Sequence, residues 1–480
     1  MISKKDFKKI TDWLWEIPKS FRLDMRVSAR AYVSEKMLEE SFKDRSLEQL
    51  VNVSTLPGIQ KYALAMPDMH EGYASPIGGV AAIKTPEGVI SPGVCGYDIN
   101  CGMRLLKSEH IEKEIKPYLD KLATEIQSQV PSGLGRGRKI KLSIEQINKI
   151  LEEGTHILLK QGYGEKEDVE NCEASGKLDW ADSSVVSDYA KNRGRDQVGT
   201  LGSGNHFVEI QKVEEIFDKE VAEAFGLFKD QTVIMVHTGS RGLGHQVCTD
   251  YLRTMIPAMQ RYGIKVPDKE FACVPFSSSE GQRYFSAMAS AANYAWANRY
   301  MIAHYSRKAW KQVLGEKEKL GLLYDVAHNI IKKERYKING KDTEVIVHRK
   351  GATRAFPPGH PEIPGKYREV GQPVLIPGSM GTASYVLVGT KEGEEAWFST
   401  CHGAGRTMSR HEAMRRVSGQ EVVKRLESKG IIVKCWSLRG IAEEAPLAYK
   451  DIDNVVEVVH NAGLSKKVAK LIPLAVIKGE

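Results

Sequence analysis

The stretch Gln231-Thr232-Val233-Ile234-Met235-Val236-His237-Thr238-Gly239-Ser240-Arg241-Gly242-Leu243-Gly244-His245 governs how the rest of the chain is read. Its first six residues are mostly β-branched or apolar and suit one buried strand, which runs straight into a histidine and a glycine-rich loop. The same order recurs in Leu322-Leu323-Tyr324-Asp325-Val326-Ala327-His328 and in Glu395-Ala396-Trp397-Phe398-Ser399-Thr400-Cys401-His402. In each, a strand delivers a histidine to its end. Rigid strands with permissive loops at their tips are good places to converge functional side chains.

Around these strands, apolar residues recur at a three-to-four spacing over 4–16, 34–50, 111–130 and 144–160, which predicts amphipathic helices. Residues 285–313 predict an alanine-rich helix whose Tyr294, Trp296 and Tyr300 pack in the core. The run from Ile83 to Ile90, with Pro86 and Gly88 inside it, reads as a hairpin. Strands and helices mixed without strict alternation predict an α+β fold, with mixed sheets surrounded by helices, rather than a doubly wound sheet. No repeat, low-complexity tract or long polar linker divides the chain, so residues 1–480 read as one large compact unit.

Composition sets the outer bounds. The 480 residues are 41% hydrophobic and 27% charged, enough for a substantial core without staples. Seven cysteines, an odd set with no paired CxxC, argue against a disulfide scaffold or a structural zinc finger. With no signal-peptide core and no membrane-length apolar run, the chain reads as soluble and cytoplasmic, with a monomer as the default. The net charge of +8 permits a polyanionic partner without establishing one. Arg136-Gly137-Arg138-Lys139 reads as solvated loop charge. Arg193-Gly194-Arg195 and Ser240-Arg241-Gly242 stand beside candidate ligands and suit phosphate, which guanidinium groups grip in a bidentate manner.

Five islands carry the chemistry: Asp98-x-x-Cys101, Asn205-His206, His237, Asp325-x-x-His328-Asn329 and Cys401-His402. A carboxylate, a thiolate and several imidazoles form a mixed oxygen, sulfur and nitrogen set, which suits transition metals better than magnesium or calcium. A spacing of three lets Asp98 and Cys101 face one side of a turn, from which the thiolate is able to bridge two ions; alone, Cys101 reads as a small buried hydrophobe. The glycines before Asn205-His206-Phe207-Val208-Glu209 allow backbone N–H groups close to phosphate, or serve an ordinary turn. Pro377-Gly378-Ser379-Met380-Gly381-Thr382-Ala383-Ser384 is a nucleotide cradle or a plain loop, and spacing does not separate the two. His402 reads as a nucleophile, as a further metal ligand or as a core histidine. Strand alternation points Cys401 away from it.

Taken jointly, Pro67-Asp68-Met69-His70, Asp98-Ile99-Asn100-Cys101-Gly102, Gly202-Ser203-Gly204-Asn205-His206, His237-Thr238-Gly239-Ser240-Arg241-Gly242, Pro377-Gly378-Ser379-Met380-Gly381-Thr382, His402-Gly403-Ala404-Gly405-Arg406 and the terminal Lys478-Gly479 resemble the motifs of the RtcB family of RNA-splicing ligases, essentially end to end. The resemblance implies an enzyme that uses GTP and two manganese ions to join a 2′,3′-cyclic phosphate or 3′-phosphate RNA end to a 5′-hydroxyl end, as in the joining of tRNA halves. It implies Asp98, Cys101, His206, His237 and His328 as metal ligands and His402 as the residue that becomes guanylylated. It places the guanylate against Asn205, His206, Phe207, Val208, Glu209, His328, Asn329, Pro377, Gly378, Ser379, Met380, Ser384, His402, Gly403, Ala404, Gly405, Tyr449 and Lys478, and RNA phosphates against Arg193, Arg241 and Arg410. An archease-type activator is a further implied partner. Thiolate and imidazole accept zinc or cobalt equally well. Cys95 and Cys401 have no assigned role.

Three rivals stand beside this reading. Lys337-Ile338-Asn339-Gly340 matches the pattern of lysine nucleotidyltransferases, although Asn-Gly there is more simply a hairpin turn. A di-metal phosphodiesterase that only hydrolyses cyclic phosphates would need no GTP. An RNA-binding protein without chemistry would bind in a salt-sensitive manner and turn nothing over.

Overall fold

The computed structural model describes residues 2–133 and 141–479, so the cluster Arg136-Gly137-Arg138-Lys139 lies outside the described residues. The chain adopts the α+β arrangement its sequence predicts, built on two large sheets. In the first, seven strands run in the order Lys8–Thr11, Leu14–Ile17, Ser28–Tyr32, Tyr62–His70, Ile77–Lys84, Lys341–Lys350, Asn329–Ile338. The second, of eight strands, runs Gly321–Ala327, Gly102–Ile111, Gln231–Thr238, Phe207–Ile216, Ser465–Lys478, Ser384–Gly389, Pro373–Ile376, with Ile432–Cys435 parallel to Ser465–Lys478. The chain passes from the second sheet to the first at His328, since Gly321–Ala327 ends just before it and Asn329–Ile338 begins just after. Among the described residues no helix is long and apolar enough to cross a membrane.

The alanine-rich segment forms the helix Ser279–Leu314, whose 36 residues span roughly 54 Å. Ser278 caps it by accepting from the Gly281 N–H. Tyr294, Trp296 and Tyr300 are fully buried, as core packing requires. The helix packs against the helices Leu119–Gln129, Ile144–Glu153 and Arg241–Arg261 and against the strand Gln231–Thr238, which places it directly behind the histidine-bearing strands.

Several local expectations are corrected. Residues 4–16 form a hairpin, with Lys8–Thr11 antiparallel to Leu14–Ile17, because Trp15 and Ile17 are buried while Leu14 and Glu16 are less so, a period of two. Over 34–50 two helices, Glu35–Ser41 and Ser46–Val53, replace one. In 111–130 the strand Gly102–Ile111 runs into a short turn of helix and a tighter turn containing Pro117 before the helix Leu119–Gln129 begins. Gly154, at φ 57°, separates Ile144–Glu153 from Thr155–Lys160. The run 83–90 turns without forming a hairpin, because Val89–Ile90 pairs with Val274–Pro275 instead. Only Ser399–Cys401 of the stretch before His402 is strand, since Trp397 and Phe398 take left-handed backbone. The glycine-rich segment after His237 is mostly helix, beginning at Arg241. The Asn339-Gly340 turn does form as read: both residues have positive φ and join Asn329–Ile338 to Lys341–Lys350, leaving Lys337 exposed on that hairpin.

Candidate active site and metal centre

The register of the second sheet brings distant segments together. Met103 and Phe207 both stand opposite His237, Ala327 stands opposite Gly102, and Lys478 stands opposite Phe207. Neighbouring strands are antiparallel, so the start of one lies beside the end of the next. Cys101, His206, His237, His328 and Lys478 thus gather at one end of five consecutive strands.

The loop before Cys101 is fixed by hydrogen bonds from several directions. Asn100 takes left-handed backbone, φ 51°, with its N–H donating to Asn329 O at 2.6 Å and its Nδ2 to Ala292 O at 2.7 Å. The His328 N–H donates to Cys101 O at 2.8 Å. From the long helix, the Arg299 guanidinium donates to Asn100 O at 2.7 Å and Thr238 O at 2.9 Å, and pairs with Asp325 at 2.8 Å. One buried cation therefore ties together the segments that carry Cys101, His237 and His328. Asp325 is committed to Arg299 and to Arg104 Nε, 2.8 Å away, so it supports its island without facing the ligands. Close approach also demands glycine: a Cβ on Gly239 would stand 2.3 Å from Asp98 Oδ1, and one on Gly202 2.1 Å from His206 Nδ1.

Five of the predicted ligands form two triads. Asp98, Cys101 and His206 make one, and Cys101, His237 and His328 the other, with the ligand atoms of each triad within 4.8 Å of one another. Cys101 Sγ lies 3.3 Å from Nε2 of both His206 and His237. His237 Nε2 lies 3.3 Å from His328 Nε2, and His206 Nε2 lies 3.0 Å from Asp98 Oδ2. Asp98 Oδ1 accepts from the Ser240 N–H at 3.0 Å, at the start of the helix Arg241–Arg261, which orients the carboxylate. Burial holds His237 and His328 well below the ordinary imidazole range and lowers His206 as well. Burial, with Asp98 adding to it, pushes the Cys101 thiol well above its ordinary value. Imidazoles held neutral by burial, a carboxylate and a thiol that gives up its proton only beside positive charge are a donor set that would fit transition-metal ions, with Cys101 common to both triads.

His402 stands beside this cluster, its ring 4.8 Å from that of His328. Its Nδ1 lies 2.5 Å from Asp68 Oδ2, and the same oxygen accepts the His402 N–H at 3.1 Å and the Gly403 N–H at 3.3 Å. Asp68 is fully buried on the strand Tyr62–His70, so the nucleophile candidate is held by the first sheet while the ligands come from the second. A carboxylate on Nδ1 fixes the tautomer that leaves the Nε2 lone pair free. Cys401 packs in the hydrophobic core, as does Cys95.

A single cavity joins the two halves. Asp98, Cys101, His237, His328 and His402 line it together with Asn205, Phe207, Asn329, Pro377, Gly378, Ser379, Met380, Gly403, Ala404, Gly405, Tyr449, Lys478 and Arg410. Asn329 doubles as a latch: its Nδ2 donates to Asp98 O at 3.0 Å, and its Oδ1 accepts from the Gly351 N–H at 2.7 Å. Four predicted contacts stand behind this wall. His206 reaches the site through its triad, Val208 packs in the core, Glu209 binds Gln211 Nε2 at 2.7 Å, and Ser384 Oγ accepts from Gln211 Nε2 and from the Gly378 N–H, bracing the 377–384 loop. Arg193 donates to Gln246 at 2.9 Å and Arg241 to Gly133 O and Thr200; neither lines the cavity, although Arg241 stands beside His206 and its charge acts on Asp98.

His70 and Glu444 in the cavity, and Asp68 behind it, are residues to which sequence reading gave no role. Asp68 and His70 sit in a quoted motif, but nothing in their spacing links Asp68 to His402. His70 Nδ1 donates to Asp68 O at 2.9 Å, and burial brings that imidazole down to about 4. Glu444 has no motif at all. It accepts from Arg406 at 2.8 Å, from Arg410 at 2.9 Å and from the Tyr449 hydroxyl. Burial would raise its carboxyl, but Lys478, Arg406 and Arg410 outweigh that and hold it below the usual range.

Comparison with known proteins finds one family over nearly the whole chain. The family model described as tRNA-splicing ligase RtcB matches residues 49–479. The chain is 52% identical over 476 residues to the tRNA-splicing ligase RtcB of Thermococcus kodakarensis, and equally so to that of Archaeoglobus fulgidus, covering 98% of each chain in both cases. It is 49% identical over 434 residues to the RNA-splicing ligase RtcB of Mycobacterium tuberculosis, covering 90% of this chain and 100% of that one.

Proposed function

Because the chain belongs to the RtcB family of tRNA-splicing ligases and is thereby an RNA ligase, we propose that it joins RNA ends through a guanylylated His402, with GTP as the activating nucleotide and two manganese ions as the metal. The observation that carries this reading is the Asp68-anchored His402 standing against two ligand triads that share Cys101. Asp98, Cys101, His206, His237 and His328 would hold the ions, whose chemistry when bound is to neutralise phosphate charge and polarise P–O bonds.

The protein's own groups define the rest. His402 Nε2 attacks the α-phosphorus of GTP; the N–P bond forms as the bond to pyrophosphate breaks, and Asp68 stabilises the positive ring by holding the Nδ1 proton. Lys478, whose Nζ donates to Gly204 O and which burial lowers to about 8, supplies positive charge at the far wall. The guanylyl group then passes to the RNA 3′-phosphate and frees His402. A 5′-hydroxyl attacks that activated phosphate and expels GMP. A cyclic phosphate would first be opened by water at the same place. Seven unpaired cysteines accord with a reducing, cytoplasmic setting, and an archease-type activator and tRNA halves are the partners this reading supplies.

Intact-protein mass spectrometry after incubation with GTP and manganese tests the proposal. A gain of one GMP is expected in the parent and in Lys337→Ala and is absent from His402→Ala. No gain with any divalent ion would leave a hydrolytic phosphodiesterase as the better account. Loss of the gain in Lys337→Ala alone would move the nucleophile to that lysine.

A further inference from the structure

Residues 406–444 hold nine Lys and Arg against five Glu, so 39 residues carry four of the chain's eight excess positive charges. Within this stretch Arg410 lines the cavity with its side chain 55% exposed. Arg415 and Arg416 follow on the helix Arg410–Arg416, and Arg439 opens outward from the helix Leu438–Glu443, which packs against it. Trp436, two residues before that second helix, is 63% exposed. It is the exposed one of the seven tryptophans, the others being buried or partly so.

The frame around Trp436 is rigid and adjoins the cavity. Cys435, the residue before it, stands opposite Lys478 in the parallel pair Ile432–Cys435 and Ser465–Lys478. With strands about 4.8 Å apart and the next Cα 3.8 Å on, the Trp436 backbone lies within roughly 9 Å of the Lys478 backbone. Ser437 follows at once and caps the helix Leu438–Glu443, accepting from the Gly440 N–H at 3.2 Å. Just past the other end of that helix is Glu444, the acceptor of Arg406 and Arg410. A strand and a capped helix thus hold a large apolar ring in water, with Leu438, 42% exposed, two residues on. Burying such a ring against a flat partner would be favourable, and its place beside the cavity is what sets it apart from the other exposed apolar side chains.

We propose that Trp436 is a stacking platform for an unpaired nucleobase of the RNA strand whose end enters the cavity, with Arg410, Arg415, Arg416 and Arg439 taking the neighbouring phosphates. The inference rests on the reading of the cavity as an RNA-end site. A polyanion with exposed π-faces matches what this surface offers: an excess of positive charge whose exposed Arg416–Glu412 and Arg439–Glu443 pairs are weak enough to yield to phosphate, one flat aromatic face, and a backbone that runs beside Lys478 of the site. Stacking is also sequence-tolerant, which suits an enzyme that reads the chemistry of an end rather than its bases.

Acrylamide quenching of tryptophan fluorescence tests this directly, using a short single-stranded oligoribonucleotide with a 3′-phosphate as the probe. Saturating oligonucleotide is expected to protect the parent from quenching, and Trp436→Phe, which keeps an aromatic face, is expected to show no such change while binding nearly as tightly. Trp436→Ala is expected to bind roughly 5- to 100-fold more weakly. Binding that leaves Trp436 as accessible as before overturns the platform alone, as does a Trp436→Ala variant that binds like the parent. A parent that does not bind the oligonucleotide overturns both the platform and the RNA reading of the cavity. Protection by a protein partner but not by RNA overturns the platform in favour of a docking site. Labelling of His402 by GTP without RNA reports on the nucleophile separately.

Discussion

Asp68 sits 334 residues from His402 in sequence and 2.5 Å from it in space. Replacing it with asparagine keeps the shape but removes the charge and lets the opposite tautomer form, with the proton on the atom that must attack. Asp68→Asn should slow guanylylation of His402 by roughly 10²- to 10⁴-fold without changing the circular dichroism spectrum. The rate of the GMP mass gain measures it, and an unchanged rate would show that the carboxylate is only structural. At this scale the clustering of Asp98, Cys101, His206, His237 and His328 was foreshadowed, because each stands in a short island whose neighbours are mostly glycine or apolar and offer its polar atoms few local partners. Asp68 and Glu444 were not, because a carboxylate that serves by holding another side chain leaves no local pattern. Asp325 misled for the converse reason: it lies in a ligand island, yet its charge is taken by Arg104 and Arg299 from elements far away in sequence.

At the scale of the element, the strand Phe207–Ile216 shows what sheet geometry does to a carboxylate. Glu209 stands opposite Val476, 2% exposed, and burial raises it to about 7 against the relief given by Gln211 and Lys478. Between pH 4.5 and 7 the folded chain therefore keeps a proton that the unfolded chain releases, so stability falls as pH rises through that window and is level above it. The full penalty, about 3 kcal/mol, is present by pH 8 and mostly absent at pH 5. Glu209→Gln should thus melt a few degrees higher relative to the parent at pH 8 than at pH 5. A melting difference that does not vary with pH would contradict the burial argument. Strands of this buried kind, and the long alanine-rich helix, were visible in composition. The hairpin within 4–16 was not, since Phe7, Ile10 and Leu14 fall at the three-to-four spacing of a helix, while the strand alternation rests on Trp15 and Ile17 alone. The breaks at Pro117 and Gly154 were visible as residues but carried too little weight against an apolar repeat on both sides.

Across the whole molecule, the α+β class was readable, whereas the convergence of the islands was only a condition that the fold had to meet. No local signal says that Gly102–Ile111 pairs with Gln231–Thr238, or that Ser465–Lys478 lies beside Phe207–Ile216, because register between remote strands is set by packing. The ligand contacts join residues 105, 136 and 91 positions apart. This has a kinetic consequence. Loop closure over such lengths must be complete before any ion finds its donors together, so ions held by the triads would arrive after the folding barrier and would not nucleate the chain as zinc nucleates a finger. Stopped-flow refolding from denaturant should proceed at the same rate with manganese or with a chelator, while unfolding slows only when the ion is present. A refolding rate that climbs with ion concentration would mean that the triads assemble early. A metal centre built on these triads would then be a lock fitted to a finished door, governing how long the native state lasts and having no say in how it is reached.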